Sequence, residues 1–194
     1  MYRKDRKNEF YTMLAKKEGY PARSVYKLKA IDEKYKIIKK GTLVLDLGCA
    51  PGSWLLYLSQ KVGDRGKVIG VDIEEVKIPQ KANIVFIKKN VLDLEESDFK
   101  DRFEAVVSDL SPKTSGIESL DNGKSLELAE KSFEIARSVL LPGGNFICKI
   151  FESELIDEFF KKVKNCFDFA KRFRPKAVIK KSKELYIIGR GFRV

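Results

Sequence analysis

The chain alternates short apolar segments with amphipathic ones, and this alternation is the feature that most restricts its fold. Five apolar runs, each ending at a polar residue or a turn, have the length and composition of buried strands. They lie at residues 42–48, 67–73, 83–90, 103–112 and 144–151. Segments with apolar residues at helical spacing lie at 24–38, 53–63, 123–141 and 153–163. The short connections between them predict an α/β fold with a largely parallel sheet covered by helices on both faces.

The two ends of the chain depart from this alternation. Residues 167–175 and 184–192 both have strand composition, and no helical pattern separates them, so we expect an antiparallel edge. Before the first strand, the helix predicted at 24–38 has Ser24 as a possible N-cap and Gly41 as a stop signal. We expect a single domain in which residues 1–40 form a basic helical extension to the core at 41–194.

Positive charge is concentrated at these two ends. The chain has 39 Lys and Arg against 28 Asp and Glu, a net charge of +11. The net charge is +8 over residues 1–40, −7 over 41–160 and +10 over 161–194. A solvated lysine-rich surface would explain this excess, but aromatic residues among the basic ones favour a polyanion footprint, RNA in particular. RNA bound by both basic termini is therefore the expected partner.

The residue types that are missing or scarce exclude several classes of protein. The chain contains no histidine, which excludes Ser-His-Asp hydrolysis, histidine zinc sites and imidazole acid–base steps. Its three cysteines, Cys49, Cys148 and Cys166, lack metal-site spacing, so we expect free thiols and no metal. No run approaches the roughly 18 apolar residues of a membrane span, and no secretion signal is evident. We expect a cytoplasmic monomer.

The ends of the first two strands carry a pattern typical of a nucleoside cofactor site. The first strand leads into D-L-G-C-A-P-G-S-W, where Gly48 and Gly52 allow the backbone to approach a ligand closely. Asp72 ends the second strand, where a carboxylate can accept both hydroxyls of a ribose. In such sheets, ligands bind beyond the carboxyl ends of the strands. The two features together predict a nucleoside cofactor at this edge.

The glycine loop does not match a dinucleotide fingerprint. That fingerprint reads G-x-G-x-x-G, whereas Ala50 replaces its second glycine and Pro51 and Trp54 crowd the loop. The leading acid-x-glycine instead suits S-adenosylmethionine, which has an amine and a carboxylate. NAD remains the alternative, and a phosphate-binding P-loop is excluded because no GKS or GKT follows the glycines.

Four charged residues stand where they could act on a substrate. Asp109 ends the fourth strand, Lys149 lies inside the fifth among apolar neighbours, and Glu184 opens the seventh. Lys27, on the first predicted helix, can reach the same edge of the sheet. A buried lysine is unfavourable unless it is paired, so a structural salt-bridge cluster would also explain the set. Their position at the cofactor edge favours catalysis.

The segments DLGCAPGSW, VDI, SDLSP, CKIF and KELYIIG, in this order and spacing, resemble the FtsJ/RrmJ (RlmE) ribose 2′-O-methyltransferases. RSVYKL resembles the leading lysine segment of that family, and the resemblance runs from about residue 20 to the end. It implies a Rossmann-like class I methyltransferase fold with a seven-stranded, mostly parallel sheet. It also implies S-adenosylmethionine as cofactor and methylation of a uridine in the A-loop of large-subunit rRNA, with tRNA anticodon loops as the alternative substrate.

The resemblance also implies the residues of the site. The Lys-Asp-Lys-Glu tetrad of the family falls on Lys27, Asp109, Lys149 and Glu184. The acidic residue that meets the adenine in the family corresponds to Asn90, which can form a hydrogen bond but carries no charge. Gly48 is added because the pattern of the loop itself indicates it. The expected cofactor residues are therefore Gly48, Gly52, Trp54, Asp72, Asn90 and Asp109.

These residues predict a mechanism that needs no metal. A lysine can take a proton from a ribose hydroxyl only if desolvation or a nearby cation lowers its pKa, and an apolar strand with Lys27 nearby would provide both for Lys149. We expect Lys149 to be the base or an oxyanion-stabilising amine, Asp109 and Glu184 to orient the amines, and Lys27 to contact the ribose. A non-catalytic RNA-binding or ribosome-assembly protein remains the alternative, while amino-group and cytosine-C5 methyltransferases lack their motifs here.

Overall fold

The computed structural model describes residues 3–175 and 182–193, with side chains described from residue 8 onward. Its strands are β1 (Leu43–Leu47), β2 (Lys67–Asp72), β3 (Ile84–Lys88), β4 (Phe103–Ser108), β5 (Leu140–Phe151), β6 (Phe167–Phe173) and β7 (Glu184–Phe192). Its α-helices are α1 (Arg3–Lys17), α2 (Val25–Tyr35), α3 (Ser53–Val62), α4 (Glu118–Val139) and α5 (Ile156–Cys166). Short 3₁₀ turns cover Val91–Asp93 and Glu96–Asp98.

The seven strands form one sheet in the order β3-β2-β1-β4-β5-β7-β6. The strands β1 to β5 run parallel to one another. β7 runs antiparallel to both β5 and β6. The predicted parallel sheet with an antiparallel edge is therefore confirmed.

Helices cover both faces of this sheet because successive strand side chains point to opposite sides. In β1, Val44 packs with α2 and α3, whereas Leu45 packs with α4 and α5. Both layers are apolar and buried. Every central strand is thus covered on two sides, which explains why these strands are nearly continuous apolar runs.

Two helices differ in length from the prediction because local hydrogen bonds set their ends. α2 stops at Tyr35, since Lys36 adopts a left-handed φ of 52° and its N–H donates to the Asp32 carbonyl. α4 begins at Glu118, five residues before the predicted start. Asp121 accepts the N–H groups of Ser115 and Gly116 and so organises the turn that leads into α4.

The direction of α2 divides the positive charge of residues 1–40 between two edges of the sheet. Near the start of α2, Lys27 reaches Glu184 at the carboxyl edge of the parallel strands. Beyond its end, the Ile37 carbonyl accepts a hydrogen bond from Asn145, near the amino edge. Lys36, Lys39 and Lys40 are therefore exposed on the edge opposite the predicted site. Within the described ranges, no helix is long and apolar enough to cross a bilayer.

Candidate active site

The loop between β1 and α3 turns tightly at two glycines. Gly48 has φ 78° and Gly52 has φ 111°, both in the left-handed region that favours glycine. A Cβ at Gly48 would lie 2.7 Å from Leu110 Cδ2, and a Cβ at Gly52 would overlap the side chain of Ile78. The expected role of these glycines in a close turn is consistent with this geometry, and a side chain at either position would strain the backbone and clash with Leu110 or Ile78.

Asp72 fixes the same loop from the end of β2. One carboxylate oxygen accepts the N–H of Ala50 at 2.8 Å, and the other accepts the N–H of Glu74 at 2.9 Å. An ionised carboxylate can accept about four hydrogen bonds. Asp72 therefore keeps acceptor capacity for ribose hydroxyls while its orientation is set by the backbone.

Asp46 is a further acidic residue at this edge, and it is the leading acid of the D-L-G motif that suits S-adenosylmethionine. Its side chain is fully buried, and neither carboxylate oxygen has a hydrogen-bond partner among the described residues. Burial raises the pKa of Asp46 well above its usual range, and the charges of Asp109 and Asp72 raise it further. The Asp72 carboxylate beside a tight glycine loop, together with the unpartnered oxygens of Asp46, fits a cofactor such as S-adenosylmethionine, whose ribose hydroxyls and ammonium donate hydrogen bonds. The side chains present thus suit the expected group.

Asn90 and Trp54 are both placed by local contacts. Asn90 caps the turn at Val91–Asp93, and its Oδ1 accepts the N–H of Leu92 at 3.1 Å. The indole of Trp54 is 2% exposed and donates to the carbonyl oxygen of Ser24 at 3.0 Å. The indole thus faces the segment before α2, and the predicted contacts of both residues with the cofactor remain predictions.

The four tetrad residues come together as two ion pairs. Lys149 is only 6% exposed, and its Nζ lies 2.6 Å from the Asp109 carbonyl oxygen and 3.3 Å from Asp109 Oδ1. Lys27 Nζ lies 2.6 Å from Glu184 Oε2. α2, the end of β4, β5 and β7 each contribute one member. Each amine thus faces a carboxylate, and the expected convergence of the four residues is seen.

Tyr186 joins this group, although the sequence analysis did not single it out. Its hydroxyl donates to Asp109 Oδ1 at 2.6 Å, and its side chain is fully buried beside Trp54. In the sheet it lies directly opposite Lys149. A tyrosine two residues after Glu184 on a strand faces the same side, which is the signal that could have identified it. Burial, followed by the charge of Asp109, raises the pKa of Tyr186, so it remains a neutral donor.

Asp109 stays ionised because its neighbours lower its pKa by more than burial raises it. Burial raises the pKa of Asp109, but the charges of Lys149 and Lys27 and the hydrogen bond from Tyr186 lower it more. The net effect holds its pKa below the usual range for aspartate. Asp109 therefore carries a negative charge at neutral pH and can hold the Lys149 amine in place.

The thiols and carboxylates of the described residues offer no metal centre. Within residues 3–175 and 182–193, no three His, Cys, Asp or Glu side chains form a group that could hold a metal ion. Cys49 and Cys148 are buried free thiols, and Cys166 is half-buried. Burial raises the pKa of both Cys49 and Cys148, so neither is a reactive thiolate.

Comparison with known proteins places this geometry among methyltransferases. The model of the FtsJ-like methyltransferase family matches residues 20–192. The chain is 46% identical over 185 residues to Ribosomal RNA large subunit methyltransferase E of Desulfatibacillum aliphaticivorans, covering 93% of this chain and 89% of the relative. It is 40% identical over 195 residues to the protein of the same name from Desulforapulum autotrophicum, covering 97% and 96%.

Solved structures show the same fold at lower identity. A Plasmodium falciparum protein described as a ribosomal RNA methyltransferase aligns with a TM-score of 0.78 at 24% identity, over 89% of this chain and 98% of its own. Fibrillarin of Aeropyrum pernix, solved with S-adenosyl-L-methionine bound, aligns with a TM-score of 0.61 at 18% identity, over 86% and 76%. At these identities the likeness concerns the fold, and the predicted Rossmann-like class I methyltransferase architecture is confirmed.

Proposed function

The chain belongs to the FtsJ-like methyltransferase family, whose cofactor is S-adenosylmethionine, and we propose that it methylates a ribose 2′-hydroxyl of large-subunit ribosomal RNA. The relatives named Ribosomal RNA large subunit methyltransferase E support an rRNA substrate. The sequence motifs of the FtsJ/RrmJ family further favour a uridine of the peptidyl-transferase A-loop as the target. These relatives are bacterial, and bacterial ribosomes are assembled in the cytoplasm, so we place the reaction there.

The observation that carries this proposal is the buried amine of Lys149. Its Nζ is held by the carbonyl and the carboxylate of Asp109, at the same edge where the cofactor loop and Asp72 lie. A lysine inside an apolar strand is unfavourable unless it has a function or a partner. Because this lysine has its partner on the side of the cofactor loop, it is placed to meet a substrate hydroxyl there.

The residues of the site divide the chemistry between them. When bound, the cofactor supplies a methyl group that is already electrophilic. The Lys149 amine would accept the proton of the ribose 2′-hydroxyl as the ribose oxygen bonds the methyl carbon and the carbon–sulfur bond of the cofactor breaks, which leaves S-adenosylhomocysteine. Asp109 orients the amine, and Tyr186 orients Asp109. Lys27, held by Glu184, contacts the ribose and favours the developing negative charge on its oxygen.

Two other functions compete with this one. A tRNA anticodon-loop methyltransferase would use the same residues on a different RNA. A non-catalytic RNA-binding or assembly factor would not need a buried lysine paired with an aspartate beside a cofactor loop. The two ion pairs therefore favour an enzyme, and the choice between the two RNA classes is made by experiment.

Methyl transfer from tritiated S-adenosylmethionine tests the proposal directly. The acceptors are bacterial large subunits lacking this modification, free large-subunit rRNA, and tRNA. We expect label in large-subunit rRNA and a 2′-O-methyl uridine in the A-loop when the product is mapped. Label in tRNA alone would contradict the rRNA assignment. No label in any RNA, from protein that binds the cofactor, would favour the non-catalytic alternative.

A further inference from the structure

The first half of α3 holds the chain segment that precedes α2. Ser53 follows Gly52 directly, and its Oγ accepts the N–H of Ala22 at 2.6 Å. The Trp54 indole donates to the Ser24 carbonyl at 3.0 Å. Farther along α3, the hydroxyl of Tyr20 donates to Gln60 at 2.9 Å. We call these three contacts, Tyr20–Gln60, Ala22–Ser53 and Ser24–Trp54, the junction.

Two side chains of the junction, those of Ser53 and Trp54, are shielded from water, and helix capping does not account for the Ser53 contact. Ser53 is 1% exposed and Trp54 is 2% exposed. The N-cap of α3 is Gly52, and no side-chain hydrogen bond caps this helix. The Ser53 hydroxyl is instead committed to a residue 31 positions earlier in the chain. Ala22 is half-buried, and loss of the acceptor of a partly shielded N–H is unfavourable, so this contact holds residue 22 against α3.

A continuous path of bonded residues joins the cofactor loop to the tetrad. Gly52, at the turn of the loop, is covalently linked to Ser53, whose hydroxyl holds Ala22, two residues before Ser24. The Ser24 carbonyl accepts both the Trp54 indole and the backbone N–H of Lys27, the latter at 3.0 Å. Lys27 then pairs with Glu184. A shift of the loop at Gly52 therefore moves the start of the helix that carries Lys27.

From this path we propose that Ser53 is a positioning residue whose hydroxyl links the cofactor loop to Lys27, so that cofactor and RNA bind cooperatively. The inference rests on the proposed function in one respect, namely that Lys27 meets the RNA. When the cofactor orders the loop, the junction holds residues 20–24 in the arrangement in which Lys27 reaches Glu184. RNA that contacts Lys27 then binds a segment already in place. By reciprocity, RNA strengthens cofactor binding by the same factor.

The junction contains its own spectroscopic reporter. Trp54 is the only tryptophan of the chain, and its indole forms one of the three contacts. When the segment 20–24 leaves α3, the indole loses its acceptor and gains water, which moves its emission to longer wavelength. We expect a red-shifted emission in Ser53→Ala relative to wild type, and a wild-type emission in Ser53→Thr, which retains the hydroxyl.

The test measures RNA binding with and without S-adenosylhomocysteine, which replaces the cofactor without reacting. The RNA probe is an in vitro transcript of the A-loop hairpin. In wild type we expect the cofactor product to tighten RNA binding at least about fivefold. In Ser53→Ala this factor should fall to near one while affinity for S-adenosylhomocysteine alone stays within about threefold, and Ser53→Thr should retain it. The matched control is Ser59→Ala, because Ser59 is equally buried in α3 but bonds Asn83 on the other side.

The outcomes separate this inference from the proposed function, because coupling is a binding quantity and needs no turnover. Wild-type coupling in Ser53→Ala, or no coupling in wild type, would overturn the inference even if rRNA is methylated. Cooperative binding without methyl transfer would leave the inference standing and overturn the proposed function. If Ser53→Ala does not fold, Tyr20→Phe removes the hydroxyl that donates to Gln60 in the same junction and is measured in the same way.

Discussion

At the residue scale, Lys149 is held by one residue through two atoms. The carbonyl oxygen and the carboxylate of Asp109 both lie within 3.3 Å of its Nζ. The carbonyl belongs to the backbone and persists in any variant of Asp109, whereas the carboxylate provides the charge. The amine therefore has a fixed position that depends on the fold and an electrostatic environment that depends on one side chain.

Replacing Lys149 should remove methyl transfer without removing binding. We expect Lys149→Ala to lower the single-turnover rate by at least about 10²-fold, the scale of a lost general base. Lys149→Arg should not restore the rate, because a guanidinium stays protonated and has a different shape. The rates are measured at saturating cofactor, with affinity for S-adenosylhomocysteine as the binding control. Lys162→Ala, which removes an exposed lysine paired with Glu130, should react like wild type. A single-turnover rate for Lys149→Ala within a few-fold of the wild-type rate would show that the tetrad is a structural charge cluster.

Tyr186→Phe should shift the pH dependence of the reaction. The hydroxyl of Tyr186 helps to lower the pKa of Asp109, so its removal raises that pKa towards the usual value. Asp109 is then protonated at a higher pH as the solution is acidified, so the step of the acid limb of the pH–rate profile at which the Asp109 charge is lost moves to higher pH. The profile of kcat, measured for both proteins, checks this direction.

The matched control for that variant is Tyr57→Phe. Tyr57 donates to Asp32, away from the tetrad, at 2.7 Å. Its loss should lower stability by about 1 kcal/mol and leave the acid limb where it is. Equal shifts in both variants would indicate a general effect of instability and would count against a specific role of Tyr186.

At the element scale, the end of α2 depends on one buried carboxylate. Asp32 is 1% exposed, and its two oxygens accept the N–H of Ile38 and the hydroxyl of Tyr57. Lys61 approaches the same carboxylate to 3.1 Å from a more exposed position. One side chain thus ends α2, directs the chain towards β1 and joins α2 to α3.

We expect Asp32→Ala to destabilise the protein by about 3 kcal/mol, because it leaves a buried N–H and a buried hydroxyl without acceptors. Urea unfolding at neutral pH, followed by circular dichroism, measures the change. Glu33→Ala alters the exposed neighbour of Asp32 in the same helix and should change the free energy of unfolding by less than about 0.5 kcal/mol. A loss in Asp32→Ala no larger than in Glu33→Ala would show that the helix end is held by other contacts.

The elements also show what the sequence could predict and what it could not. Strands such as β1 were predictable because burial on both faces leaves an apolar run with few alternatives. The ends of α2 and α4 were not, because a left-handed Lys36 and the contacts of Asp121 arise from local geometry that residue type alone does not specify. The charged residues of the tetrad were identifiable by their improbable positions. Their division into two pairs was not, because it depends on where β7 enters the sheet.

At the scale of the whole molecule, the positive charge is spread over two opposite edges. Lys113 follows Asp109 in an exposed loop, and Lys183 directly precedes Glu184 and pairs with Glu118. These two lysines lie at the carboxyl edge, whereas Lys39 and Lys40 are exposed near the amino edge. We propose that RNA is bound at the carboxyl edge. Lys180 and Lys181, also part of the expected footprint, lie outside the described residues.

Paired charge reversals distinguish the two edges at equal change in net charge. We expect Lys113→Glu with Lys183→Glu to weaken RNA binding at least about tenfold and to reduce its salt dependence, because phosphate contacts are lost. Lys39→Glu with Lys40→Glu should change affinity by less than about twofold at moderate salt, where the opposite edge is screened. Filter binding over a range of salt concentrations checks both variants. Equal losses of RNA affinity in the two double variants would indicate long-range attraction by net charge. As a control, cofactor affinity should stay at the wild-type value in both.

The position of β7 between β5 and β6 determines the order in which the site can form while the chain is being synthesised. A ribosome makes the chain from its amino end, so β5 and β6 emerge before the strand that must separate them. Until β7 enters, Glu184 and Tyr186 are absent from the site, Lys27 has no carboxylate to pair with, and Asp109 lacks its hydroxyl donor. A nascent chain can therefore fold its cofactor loop while it remains unable to complete the tetrad. The four residues of the tetrad therefore come together only after β7 has entered the sheet between β5 and β6.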